Sequence, residues 1–226
     1  MIRSDEQIKK DIVDELYWDS RIDASKISVT VEDGIVSLAG EVPTYGDLSA
    51  ARAAALTIGG VVDLVDNLRV SLVPPQELPG DLEIEDRANH ILIWDRAIDE
   101  AHVRAVADRG IVTLEGTVDA YWKKYYAEER IEGILGILGI ENRLSVVPTM
   151  EATDEKVGRD IVRALERDEL IDPDAITVEV ENGIATLSGR APNTAARLAA
   201  WNDASRTPGV VDVRNNIAVA GRGETV

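Results

Sequence analysis

The chain contains no cysteine, which excludes disulfides, thiolate nucleophiles, cysteine-ligated zinc and a lipid anchor on an N-terminal cysteine. It has no long apolar run: the longest, GILGILGI from Gly133, is broken by glycine and falls well short of the roughly 20 apolar residues of a membrane span. The opening MIRSDEQIKK enters a charged amphipathic segment at once, without the apolar core of a signal peptide. The expectation is a cytoplasmic protein, or a periplasmic one if a leader has been removed. Basic residues are scarce, with 24 Lys and Arg against 42 Asp and Glu in 226 residues, a formal charge of -18. The acidity is uniform, about -6, -7 and -5 over residues 1–75, 76–150 and 151–226. That balance argues against nucleic acid and against simple electrostatic docking on anionic lipid, both of which want clustered Lys and Arg. General solubility is its first reading and attraction of cations its second.

What the chain does have is one statement made three times. DGIVSLAGEV begins at Asp33, RGIVTLEGTV at Arg109 and NGIATLSGRA at Asn182, offset by 76 and then 73 residues. Aligning Gly34, Gly110 and Gly183 brings Gly40, Gly116 and Gly189 into register without a gap, then Gly60, Gly136 and Gly209. Three ungapped copies mean three small modules of one fold. Units of about 70 residues bury modest cores, so packing between neighbours is expected to add stability.

Each unit opens with a helical stripe, Ile8, Ile12 and Leu16 in the first, Ile84, Ala88 and Leu92 in the second, Val157, Ile161 and Leu165 in the third. Asp5 with Glu6, and Asp154 with Glu155, place negative charge where the helix dipole favours it. Two alternating runs follow, joined by Asp-Gly, Arg-Gly or Asn-Gly, which is the signal of a hairpin with a type I′ turn. Arg109 is the poorest of the three turn residues. A second helix presents Ala51, Ala55 and Ile58, then Ala127, Ile131 and Ile134, then Ala200, Ala204 and Thr207, and is expected to be capped by Gly60, Gly136 or Gly209. A last strand completes the unit.

The fold class is therefore α+β: three tandem α-β-β-α-β units, each with two helices on one face of a three-stranded mixed sheet. The expected boundaries are residues 1–72, a linker at 73–80 stiffened by Pro74 and Pro75, residues 81–148, a linker at 149–152, residues 153–221 and a tail at 222–226.

The glycine after the first strand, the second glycine in LAG, LEG and LSG, and the closing GVVDLVDNLRV, GILGIENRLSV and GVVDVRNNIAV together resemble the BON domain family. The resemblance covers nearly the whole chain. It implies a non-enzymatic binding module, in a family that includes envelope proteins associated with phospholipid surfaces and osmotic stress, and a cytoplasmic potassium-binding member that carries a LysM domain. No LysM-like segment is present in this chain.

The least explained stretch is AYWKKYY from Ala120. With Ala127, Ile131 and Ile134 facing the sheet, helical geometry turns Tyr121, Trp122, Tyr125 and Tyr126 away from it, and Lys123 and Lys124 fall among them. The segment reads either as a dock between units or subunits, or as a surface for membrane lipid or a protein partner. Trp18 and Trp94 hold equivalent positions just past the first helix, where the third copy has Arg167. They are expected to pack over the hairpin end, with ligand stacking as the alternative. His90 and His102 lack metal-site spacing, and Asp168, Glu169, Asp172 and Asp174 lack the EF-hand pattern, so no metal is expected. No nucleophile elbow exists and no carboxylate pair recurs in all copies, so no enzyme is expected. The functional expectation is a stress or osmotic-response binding protein acting on phospholipid or a protein partner. The alternatives are a sensor of potassium or another cation, with a monovalent cation as its one possible cofactor, and a structural homo-oligomer.

Overall fold

The computed structural model describes residues 3–71, 78–98, 102–149 and 152–220. The first unit comprises α1 (Asp5–Trp18), β1 (Ile27–Glu32), β2 (Ile35–Val42), α2 (Tyr45–Thr57) and β3 (Asp63–Val70). The second comprises α3 (Asp81–Ile93), β4 (Val103–Asp108), β5 (Ile111–Val118), α4 (Tyr121–Ile131), β6 (Gly139–Asn142) and β7 (Ser145–Val146). The third comprises α5 (Asp154–Leu165), β8 (Ile176–Glu181), β9 (Ile184–Ala191), α6 (Thr194–Ser205) and β10 (Asp212–Val219). In each unit the first two strands form an antiparallel hairpin and the last runs parallel to the middle one. The three mixed sheets and six helices give the α+β class expected from the repeat. The expected tail lies outside the described residues, as does most of the first linker and half of the second.

The helical stripes are buried where the four-residue spacing places them. Alanines at 51, 55, 127, 200 and 204 are fully buried, which lets each second helix lie close on its sheet. The hairpin turns have positive φ at both central residues, 51° and 78° in the first unit, 50° and 76° in the second, 52° and 74° in the third. An aspartate at the first position of the opening helix clasps each turn. Asp5 accepts from the amides of Asp33 and Gly34, Asp81 from those of Arg109 and Gly110, and Asp154 from those of Asn182 and Gly183, all at 2.8–3.1 Å. Two donors on one carboxylate hold the Asp81 pKa below the ordinary aspartate range.

Gly116, at φ 118°, shows why the second glycine recurs: a β-carbon there would stand 1.9 Å from the His102 carbonyl oxygen. Gly60, Gly136 and Gly209 depart from expectation. The helices end at Thr57, Ile131 and Ser205, so these glycines are not the caps. They lie in the turn beyond, where a β-carbon would meet Ile8, Ile84 or Val157 at 2.9 Å. The last strand of the second unit is split into β6 and β7, although Arg143 still donates to the Leu114 carbonyl across the break.

The units close on one another through one repeated joint. Tyr45, Tyr121 and Thr194 are equivalent residues, the first of α2, α4 and α6. Tyr45 packs against the second unit's core, and neighbouring Gly46 approaches the Glu132 carbonyl at the end of α4. Tyr121 enters the third unit's core. The Thr194 hydroxyl donates toward the carbonyls of Leu56 and Val61 at 3.0 and 3.1 Å, and its amide donates to Val61 at 3.1 Å, at the end of α2. Unit one thus docks on two, two on three and three on one. A heterologous contact whose rotation closes makes a ring, here a pseudo-threefold one within a single chain.

Candidate functional site

The aromatic stretch of α4 is largely committed to that ring. Tyr121 is only 3% exposed, its hydroxyl lies 2.8 Å from that of Tyr125, and burial pushes its pKa up. The rings of Tyr121 and Tyr125 meet Trp201 of α6 edge-on at 6.3 and 4.8 Å. Tyr125 keeps 39% exposure. Trp122 is half-buried and stacks edge-on with Tyr126 at 5.5 Å, and the Lys123 ammonium sits 5.9 Å over its ring while pairing with Asp119 at 2.7 Å. Tyr126 packs on its own unit's core and donates to Asp95 at 3.0 Å, which raises its pKa. Lys124 is half-buried, and its carbonyl accepts from Asn142. Tyr121 and Tyr125 therefore join units two and three, whereas Tyr126, expected to turn away from its own unit, faces it because its hydroxyl reaches Asp95 past the end of α3.

Trp18 and Trp94 stand apart from every core. They are 79% and 76% exposed, so the expected packing over the hairpin end does not occur. Trp18 meets Tyr17 edge-on at 5.2 Å, and Trp94 tilts toward His90 at 6.1 Å. Trp18, Trp94 and Arg167 are equivalent positions in the three units, and a ring closed by threefold rotation would set them at one height. Arg96 and Arg130 line the cleft beside Trp94, together with His90, Ile91 and Asp95.

One position varies informatively between the units. In the second, Arg130 on α4 donates to Asp95 at 2.8 Å. The equivalents in the third unit are Asp203 and Asp168, two acids. Oδ2 of Asp203 is buried without a hydrogen-bond partner, and burial, with Asp168 nearby, raises its pKa. Among the described residues no group of three or more His, Asp or Glu side chains could hold a metal ion, and no helix is long and apolar enough to cross a membrane.

The model of the BON domain matches residues 4–71, 80–148 and 153–221. The chain belongs to the BON domain family. It carries three BON units in tandem, as the repeat implied. Osmotically-inducible protein Y of Escherichia coli (strain K12) is 26% identical over 126 residues, which is 54% of this chain and 63% of that protein. Two solved structures of CdsD, the structural protein of the type III secretion system of Chlamydia trachomatis, cover 93% of this chain and 91% and 96% of their own, at 15% identity and a TM-score of 0.26. A superposition that weak carries nothing about arrangement or role.

Two devices of the BON units, one in all three and one in two, escape sequence reading. The aspartate clasp on the turn was visible only as first-turn acid, yet its constant 28-residue distance to the turn in all copies is a findable signal. Asn142 and Asn215 tie the last strand to the carbonyls of Lys124 and Arg197, while the equivalent Asp66, lacking a donor, pairs with Arg52 instead.

Proposed function

We infer that this protein is a non-catalytic binding protein of an osmotic or envelope stress response, and that it meets membrane phospholipid at the tryptophan-bearing rim of its ring. The carrying observation is the exposure of Trp18 and Trp94 at equivalent positions in two of three units. An indole with water on nearly every side gains by moving to the membrane interface, where its ring finds apolar contact and its N–H stays wet. Arg96 and Arg130 place positive charge beside Trp94, with Arg130 paired to Asp95. The likeness to a protein named for osmotic induction supports the physiological half of the reading. Co-sedimentation with phosphatidylcholine vesicles, with and without phosphatidylglycerol, tests it. The native chain is expected to bind the mixed vesicles, and Trp18→Ala with Trp94→Ala to weaken binding by about tenfold or more, since each loses a large apolar group. Equal sedimentation of the two forms rejects the rim as the contact.

A second reading, cation binding, is favoured by the pair Asp168 and Asp203. A buried carboxylate oxygen facing another acid, where the neighbouring unit has an ion pair, suits a positive ligand. Calorimetric titration with K⁺, Na⁺ and Ca²⁺ tests it. A selective saturable signal lost in Asp203→Asn supports this reading, and a shallow ionic-strength response shared by all three salts removes it.

A further inference from the structure

The first two strands of every unit leave one sheet edge unpaired, β1, β4 and β8. In the second unit that edge is covered by side chains of α3. The amides of Ala105 and Ala107 donate to Asn89 at 2.9 Å and Glu85 at 3.4 Å, and the Ala105 carbonyl accepts from Asn89 at 2.8 Å. The equivalents of Glu85 and Asn89 in the third unit are Gly158 and Val162. Val178 pairs with Leu187 in the register in which Ala105 pairs with Leu114, so the backbone groups of Val178 and Val180 point outward from β8. Among the described residues no side chain caps them. In the first unit Lys9 and Val13 occupy these positions, with Val29 6% exposed and Val31 half-buried, whereas both Val178 and Val180 are half-buried. Gly158 leaves open a groove of about 490 Å³ between α5 and β8, within the range of roughly 300–1,000 Å³ typical of ligand clefts.

We propose that this groove takes an extended peptide segment of alternating apolar and basic residues, which adds to the third unit's sheet as a further strand beside β8. Addition to a free edge satisfies the backbone groups of Val178 and Val180, and the surfaces met by alternate side chains choose the partner. On the helix side the added residues meet Val162, Val178 and Val180. On the opposite face they lie beside exposed Thr177, Glu179 and Glu181. Lysine or arginine there makes favourable cross-strand pairs. The groove wall sets Asp154, Glu155 and Glu166 against Arg159 and Arg163, and Arg159 is paired with Glu155 at 2.5 Å, so the acidic strand sets the charge preference. A second copy of this chain is disfavoured, because pairing β8 with itself brings glutamates together across the strands.

The probe is a capped peptide of alternating lysine and valine, about six residues long to match a usual strand, titrated into the full chain and followed by amide chemical shifts. Three arms are compared: the peptide, the same peptide N-methylated along one edge, and the native peptide with Gly158→Glu/Val162→Asn. That double substitution installs the cap that the second unit already carries. The expected result is saturable binding with the largest shifts at Val178–Glu181, weakened about tenfold or more both by N-methylation and by the installed cap. Equal binding of the methylated peptide, equal binding by the capped variant, or shifts spread over the acidic surface overturns the proposal. The methylation arm stands even if the variant folds poorly.

Discussion

Arg109 holds a left-handed backbone at φ 50° where the other units use aspartate and asparagine. Asparagine tolerates that region better, so Arg109→Asn is expected to stabilise the second unit by about 1 kcal/mol, read as a shift in the urea midpoint. The Asp81 clasp makes this turn sensitive to pH. Its folded pKa lies below the ordinary aspartate value, so its stabilising contribution is present above that value and is lost as pH falls through the folded pKa. Asp81→Asn should therefore be less stable than the native chain at neutral pH, with the gap closing in acid melts. Asp203 has the opposite sign. Its pKa is raised, so its unfavourable charge is absent in acid and costs stability as pH rises through the folded value. Asp203→Asn should gain stability at neutral pH and match the native chain in acid; a constant difference at both pH values contradicts this. Neither effect was legible from local pattern, because each depends on a residue far along the chain.

The regular elements were legible because local rules suffice for them. The four-residue stripe of α1, α3 and α5 and the Asp-Gly and Asn-Gly turns lie within one repeat, and they appear where the spacing places them. The role of Gly60 was missed because its constraint comes from Ile8, on another element. The second unit is the least well built, since neither of its helices has a side-chain cap: Gly80 and Ala120 stand where Ser4, Thr153, Thr44 and Asn193 serve the others. Ala120→Asn is expected to add about 1 kcal/mol, measured by thermal or urea unfolding. Gly158 in mid-α5 carries the usual helical cost of glycine, and a β-carbon there would make ordinary contact with Val180 at 3.6 Å. Gly158→Ala should stabilise by roughly 0.5–1 kcal/mol, leaving a folded protein in which only the groove is narrowed.

At the scale of the whole molecule, the aromatic segment of α4 shows how far sequence reasoning reached. Amphipathic geometry set Tyr121 outside its own core, but which surface receives it is a property of the third unit and has no local signature. The ring joints also carry titrating groups: burial raises the pKa of Glu128 and Glu132 beside Tyr45, so the first joint weakens as pH rises through those values. Thr194→Val removes the hydroxyl that serves Leu56 and Val61 across the closing joint and is expected to cost about 1–2 kcal/mol, with earlier melting in calorimetry. Closure itself is measurable, because a chain without cysteine accepts label pairs cleanly. Spin labels on cysteines replacing Trp18, Trp94 and Arg167, taken two at a time, report three distances between equivalent points. A closed pseudo-threefold ring predicts three narrow and nearly equal distances. A distance from the first unit to the third much longer than the other two, or a broad distribution, contradicts the ring and with it the shared rim.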